Sequence, residues 1–289
     1  MSLPRPSVFG VCALALVSFL PTAQACEGLR GKVAGGQPIA LGVSPSSPPL
    51  SSVENGRATG YIVDICRAAI ERGARIDGLP EPVFTHQIVD GINAQFDALG
   101  QNSIDVVCTP TTHTVARRSQ HDVGFSLSVF FTGADFIYRA GDDVTELSDL
   151  AGSTITAVED TTTIAGLRAA LTSQGLEEQV TVMPVDSHAT GIDLLLKRHG
   201  IRAHAGDQAI LAPYLNDEPG LRLTGELKSF EPYALAMARC DTEGLDFLDR
   251  GIAQLFRSGD IWPIYNRNFP GLEPGALLIA TYIIGGLPD

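Results

Sequence analysis

Ile104-Asp105-Val106-Val107-Cys108-Thr109-Pro110-Thr111-Thr112-His113-Thr114-Val115-Ala116-Arg117-Arg118 is a short apolar strand that runs into hydroxyl residues and then an arginine. Phe125-Ser126 and the extended run Val129-Phe130-Phe131-Thr132-Gly133 follow it. Hydroxyls and backbone N–H groups at the end of a strand can donate to the oxygens of a small carboxylate, and a guanidinium fork can grip both oxygens at once. The stretch therefore reads as a receptor for a carboxylate. A solvated turn with an ordinary surface arginine is the alternative, and the rest of the chain decides between them.

Strands and helices alternate on either side of this stretch. Upstream, Ile39–Val43 is a strand pattern, and a loop from Ser44 to Leu50 follows it. Gly60–Ile70 carries apolar residues at helical spacing, Pro82–Thr85 is a strand and Asp90–Gly100 a helix. Downstream the alternation restarts. Ser153–Val158 is a strand, Glu159-Asp160-Thr161-Thr162-Thr163 opens a helix, and Val180–Pro184 is a strand. Ser187–Lys197 is a helix, Ile201–Ala205 a strand, and Gly206-Asp207-Gln208 opens a further helix. This order predicts α/β architecture with parallel strands. Two extended runs, Ser128–Tyr138 and Phe230–Met237, separate the two sets. They predict two lobes joined by a two-strand hinge: residues 26–132 with 231–289 in one lobe, and 133–230 in the other. A ligand would sit in the cleft between them.

The N-terminus stands apart from this pattern. Met1–Arg5 carries one positive charge, Val8–Leu20 is apolar, and Pro21–Ala25 ends in small residues at the positions a signal peptidase reads. Residues 1–25 thus read as a secretory signal peptide. Cys26 directly after the cut raises a lipoprotein alternative, but Ala23 stands where a lipobox has Leu. The soluble periplasmic form is the expectation. The net charge of −13, or −14 without Arg5, excludes nucleic acid and anionic membrane faces as natural partners. The apolar tail from Ala276 to Ile284 is about half the length a bilayer-crossing helix needs, so it is expected to dock on the body. Cys26, Cys66, Cys108 and Cys240 remain after the cut and allow three pairings in an oxidising compartment. A Cys66–Cys108 bridge would pin the hydroxyl-arginine loop to the first helix, and two buried thiols are the alternative.

Taken together, the chain resembles the extracellular solute-binding family that serves polar amino acid ABC transporters. The residues that carry the resemblance are Gly60-Tyr61-Ile62-Val63-Asp64-Ile65, Thr112–Arg117, Phe125-Ser126, Phe131-Thr132-Gly133, Asp160-Thr161-Thr162, Gly206–Leu211 and Glu231-Pro232-Tyr233. They span roughly Gln37 to Phe269. The resemblance implies a two-lobed, periplasmic-binding-protein-like fold of type II, working as a monomer with a membrane permease and without a cofactor. It implies that Arg117 binds the α-carboxylate of an amino acid, helped by Thr112 and the backbone near Thr109. It also implies that Thr162, at a helix start flanked by Thr161 and Thr163, gives an N–H and a hydroxyl to the same carboxylate, as helix N-termini favour anions. Asp207 would accept from the α-ammonium, with plain helix capping as the alternative for it and for the threonines.

The departures from the family pattern bear on the ligand. Members that bind basic amino acids carry an acidic residue and an aromatic in the loop after the first strand, where Ser44 and Ser47 stand here. An aromatic beside the ligand's side chain is replaced by Ile92. There is thus no evident carboxylate for a Lys or Arg side chain, and no stacking platform. No second arginine for an acidic side chain is obvious, although Arg118 and His113 are near. A small or neutral polar amino acid is the expectation. Arg202-Ala203 stands where the family has Asp-Ala. The histidines lack the spacing of a metal site, and His188 and His204 read as a loop residue and a packed residue. No nucleophile elbow or phosphate loop is present. A receptor-linked sensor module and a dehydratase-type enzyme on the same scaffold are the alternatives. For the enzyme, Glu159 and Glu231 are the candidate general acids.

Overall fold

The computed structural model describes residues 28–288. The leader expected over residues 1–25, and Cys26, lie outside the described residues. A short helix α1 (Leu29–Ala34) leads into strand β1 (Ile39–Val43), a hairpin of β2 (Ser52–Glu54) and β3 (Arg57–Thr59), helix α2 (Tyr61–Ile76) and β4 (Phe84–Ile88). Then come α3 (Ile92–Gly100), a two-residue β5 (Val106–Val107), α4 (Val115–Gln120) and the long β6 (Val123–Thr132). The second set is β7 (Ala134–Arg139), β8 (Thr154–Val158), α5 (Thr162–Gln174), β9 (Thr181–Val185), α6 (His188–Lys197) and β10 (Ile201–Asp207). It closes with α7 (Gln208–Leu211), α8 (Tyr214–Asp217) and β11 (Leu221–Leu223). The chain then returns through β12 (Glu231–Ala238) to α9 (Thr242–Ser258), α10 (Ile261–Asn268) and α11 (Ala276–Gly285).

Two five-stranded sheets result, ordered β4-β1-β5-β12-β6 and β11-β7-β10-β8-β9. In each, a parallel core (β4-β1-β5 and β10-β8-β9) is extended by antiparallel pairing. The antiparallel members are the strands that cross between lobes and their neighbours. The expectation of mostly parallel sheets holds for the βαβ units and fails at the crossings, because a strand entering from the other lobe arrives from the opposite end. β6 leaves the first sheet at Thr132, and β7 enters the second at Ala134. The only residue between them is Gly133, where a Cβ would overlap the carbonyl oxygen of Ser229 on the returning segment. The two crossings are tied together by Lys228 N–H to Ala134 O (2.7 Å) and Ala134 N–H to Ser229 Oγ (3.0 Å). Phe131 stacks on Phe230 beside them at 4.8 Å.

The larger core lies in the first lobe. α2 and α9 each bury one helical face, Ile62, Ile65, Cys66, Ala69 and Ile70 against Phe247, Leu248, Ile252 and Leu255. The tail helix α11 docks here as expected, with Leu278 and Tyr282 buried and the Tyr282 hydroxyl bonded to that of Tyr61. No described helix is long and apolar enough to cross a membrane. Cys66 and Cys108 form a disulfide between α2 and the residue after β5, spanning a separation of 42 residues. Closing a loop of that length restricts the unfolded chain, so the double Cys66→Ser, Cys108→Ser variant is expected to lose about 4 kcal/mol of stability. Scanning calorimetry should show a midpoint lower by roughly 10 °C. An unchanged midpoint would mean that the bridge adds nothing to the fold.

Candidate functional site

The site follows from where the parallel strands stop. Ser44 follows β1, Asp90 lies two residues past β4 and Thr109 two past β5. On the other side, Glu159 follows β8, Asp186 follows β9, and Asp207 ends β10. Carboxyl ends of parallel strands are where α/β sheets leave a crevice for ligands. Here the two sets of strand ends face one another across a cavity of about 110 Å³. All ten expected site residues line it: Ser44, Ser47, Ile92, Thr109, Thr112 and Arg117 from the first lobe, and Thr161, Thr162, Thr163 and Asp207 from the second.

Arg117 sits on α4, whose start is capped by Thr114 Oγ accepting from the Arg117 N–H. Its Nη1 donates to the carbonyl of Thr112 at 2.8 Å, and its guanidinium lies 6.0 Å from the centroid of Phe96. Ion pairs among the described residues do not include Arg117. Burial pulls its pKa down, while Glu231 and Asp207 push back. A half-buried cation without a carboxylate in bonding range favours the approach of an anion.

Asp207 is buried, and its side chain makes no capping bond to α7, which removes the capping alternative. It accepts instead from Thr163 Oγ1 (3.0 Å) and from the hydroxyl of Tyr233, which reaches across from β12. Burial, then repulsion from Glu231, pushes its pKa up to about 6, and the Tyr233 and Thr163 bonds and Arg117 oppose the rise. A buried carboxylate held in this way is stabilised by an arriving cation.

The threonine hydroxyls differ from expectation. Thr112 Oγ1 and Thr162 Oγ1 both donate to Glu231 Oε2, at 2.7 and 2.8 Å, and lie 3.4 Å from each other. Ser229 Oγ donates to the other oxygen, Oε1, at 2.6 Å. Glu231, buried where β12 leaves the hinge, thus joins one threonine from each lobe. Its oxygens are occupied by hydroxyls and it is absent from the cavity wall, so the general-acid expectation for it is corrected. Thr161 is the N-cap of α5, accepting from Ile164 N–H (3.2 Å) and donating to Val158 O (2.7 Å), so capping claims its hydroxyl. Thr109 Oγ1 donates to Gln95 at 2.8 Å. With these hydroxyls committed, the first-turn N–H groups of Thr162 and Thr163, which no helical carbonyl can reach, are the donors α5 presents.

The cleft also carries carboxylates beyond the expected residues. Asp90, Glu159 and Asp186 line it, which corrects the expectation that no carboxylate is near the ligand's side chain. Asp90 Oδ1 accepts from Ser44 and Ser46, each at 2.9 Å, so a carboxylate stands behind Ser44, one of the two serines found where basic-amino-acid binders carry an acidic residue and an aromatic. Arg118 and His113 do not line the cavity. His113 stacks on Phe125 at 4.6 Å, and burial, then Arg118, lowers its pKa. His188 is the first residue of α6 rather than a loop residue, lines the cleft, and bonds to His204. Apart from His188, the cavity has no aromatic wall, in keeping with Ile92 in place of a platform. Among the described residues, no group of His, Cys, Asp and Glu could hold a metal ion.

A family model for bacterial extracellular solute-binding proteins, family 3, matches residues 39–271. The L-glutamate/L-aspartate-binding protein of Pseudomonas aeruginosa is 23% identical over 295 aligned positions, covering 96% of each chain. Among solved structures, an ancestral arginine-binding protein bound to arginine superposes with a TM-score of 0.69 at 24% identity, covering 80% of this chain and 98% of that one. The cysteine-binding protein of Campylobacter jejuni gives a TM-score of 0.69 at 21% identity, covering 84% and 92%.

Proposed function

The chain belongs to the bacterial extracellular solute-binding proteins of family 3, and on that footing we propose that it captures one free amino acid with a small or uncharged polar side chain between its lobes and delivers it to an ABC permease. The observation that carries this reading is the pairing of opposite charges from opposite lobes in one cavity, Arg117 on α4 and Asp207 at the end of β10. The α-carboxylate lies against the Arg117 fork and the first-turn N–H groups of α5, and the α-ammonium lies against Asp207. Each lobe holds part of the zwitterion, so the ligand favours the closed arrangement over the open one. The relatives and neighbours named above carry amino acids in their names, which agrees with a zwitterion receptor.

The side-chain preference rests on the charges of the lining and on the bonds they already make. Arg117 is the only arginine or lysine in the cavity lining, and it is used by the α-carboxylate. Asp90, Glu159 and Asp186 then make the remaining wall negative, which opposes a glutamate or aspartate side chain despite the Pseudomonas relative's name. Against an arginine or lysine side chain, the lining offers no Phe, Tyr or Trp platform, and Asp90 and Asp186 already accept from Ser44, Ser46 and Ser187. The protein works in the periplasm, and the leader over residues 1–25 is cleaved on export to leave a soluble monomer. Binding without turnover fits the site better than dehydration. Glu231 is fully engaged by hydroxyls, and Glu159 is exposed to water at the rim.

Thermal unfolding against a panel of amino acids and small organic acids tests the reading. A cognate amino acid at 100 times its dissociation constant is expected to stabilise the protein by about 2.7 kcal/mol. Asparagine, glutamine, serine or cysteine should give the largest shift, and glutamate and aspartate none. A shift from glutamate alone would overturn the side-chain assignment, and shifts from non-amino carboxylates alone would remove Asp207 from the site.

A further inference from the structure

Two histidines that the binding of a zwitterion leaves unused are joined in a line that ends at the cleft. Thr156 on β8 and His204 on β10 are paired residues of neighbouring strands, both wholly buried. Thr156 Oγ1 lies 2.9 Å from His204 Nδ1, and His204 Nε2 lies 2.9 Å from His188 Nδ1. His188 lines the ligand cavity, and with Nδ1 turned to His204 its Nε2 is the nitrogen left for that cavity. The backbone is shaped around the two rings. A Cβ at Gly191 would overlap the His204 ring, and one at Gly206 would overlap the His188 ring.

The line has a direction. The Thr156 hydroxyl has no side-chain partner besides His204. β8 lies between β9 and β10, so the Thr156 carbonyl belongs to the strand ladder. If His204 donated to the hydroxyl, the buried O–H of Thr156 would be left without an acceptor, which costs about 1–3 kcal/mol. The hydroxyl therefore donates to Nδ1 of His204, and the His204 proton sits on Nε2. That proton is donated to Nδ1 of His188, and the His188 proton sits on its own Nε2. We propose that His204 is a positioning residue for the ligand site: it holds His188 in the tautomer that offers a neutral Nε2–H to an uncharged acceptor, an amide carbonyl or a hydroxyl, on the ligand's side chain. Burial keeps both rings neutral. It lowers His188 to about 4, and it holds His204 well below its ordinary range, with His188 adding to the fall and the Thr156 backbone opposing it. The nearby Asp90, Glu159 and Asp186 discourage an anionic acceptor in the same place. This inference rests on the amino acid reading of the cleft for its ligand, though not for the tautomer.

Nitrogen NMR of the full chain labelled with 15N-histidine reads the tautomer without ligand. The expected spectrum has His188 and His204 each with a bare Nδ1 and a protonated Nε2, and a proton on His188 Nδ1 would overturn the relay. Binding is then compared by calorimetry for L-glutamine, L-serine and L-alanine. His204→Leu is expected to mix the His188 tautomers and weaken glutamine or serine about tenfold while leaving alanine unchanged. His204→Gln, whose amide accepts from Thr156 and donates to His188, is expected to restore both the tautomer and the affinity to within about twofold. Equal losses for alanine and glutamine in both variants would overturn the positioning role. A wild-type protein with the expected spectrum but no affinity for any amino acid would instead sink the functional reading.

Discussion

Arg117→Ala is expected to weaken binding of the cognate amino acid about a thousandfold, some 4 kcal/mol. Truncating one member of a desolvated charge pair costs about 2–5 kcal/mol or more, because the partner is left uncompensated. The surroundings of Arg117 push the figure toward the upper part of that range. The fixed charges coupled to its guanidinium are those of Glu231 and Asp207, both anionic, so a carboxylate entering without Arg117 meets repulsion as well as an empty place. Arg117→Lys keeps the charge but loses the planar fork, and should fall between the two. The fold should survive. Arg117 contributes one bond to a carbonyl and one contact with Phe96, so the thermal midpoint of the ligand-free protein should move by only a few degrees. Calorimetric titration checks both variants, and unchanged affinity in Arg117→Ala would take the residue out of the site.

Asp207→Asn is expected to weaken amino acids by about two orders of magnitude, roughly 3 kcal/mol, and to bind simple carboxylates no more weakly than the wild type, since a repelling charge is gone. Asparagine keeps one oxygen where Asp207 has two, so it can accept from Tyr233 or from Thr163 in the present geometry, and it cannot balance an ammonium. The sign of the pH dependence follows from the direction of the shift. Asp207 has its pKa pushed up to about 6 by burial and by Glu231, against an ordinary 3.8. Between these values the folded protein holds the proton that the unfolded chain has lost, so stability falls as pH rises through the window. Above pH 6 the ionised, ligand-free carboxylate costs roughly 3 kcal/mol. The Asn variant should therefore be the more stable protein at pH 7.5 while being the poorer binder, and the stability difference should vanish near pH 4. Binding should follow the opposite course in the wild type. An ammonium requires the ionised carboxylate, so affinity should decline below pH 6 by up to tenfold per unit. The Asn variant should lack that decline, and a variant whose decline matched the wild type would exclude Asp207 as the titrating group.

The architecture was legible because it depends on periodicity. Apolar spacing in Gly60–Ile70 and in Ser187–Lys197 marked α2 and α6, and the two extended runs marked the crossings. The expected site residues converge on one cavity for a related reason. Each lies at or near a strand's carboxyl end or a helix start, and the topology brings those ends together. What the sequence concealed is partnership between distant residues. Thr112 and Thr162 lie 119 and 69 residues from Glu231, and nothing in their local sequence reveals that a glutamate takes their hydroxyls. Asp90 looks like a turn residue until Ser44 and Ser46 fold against it. His204 sits on an apolar strand and reads as packing. The signal that could have revealed its pairing lay in Gly191 and Gly206, spaced to clear two imidazoles.

The strand order also dictates how the protein comes into being. β12 lies inside the first sheet, between β5 and β6, although it is made after every strand of the second sheet. Synthesis proceeds from the N-terminus, and units usually fold in that order. Here the lobe that begins first finishes last. Until residues 231–238 emerge, β5 and β6 have an unpaired edge between them, and the core face of α2 waits for α9. The second lobe, contiguous from β7 to β11, can complete its sheet while the first is still open. A nascent chain arrested before residue 231 should thus carry a protease-resistant second lobe and a digestible first one. A first lobe that stays open until the end of synthesis suits a protein of the periplasm, which closes only after it has left the compartment where it is made.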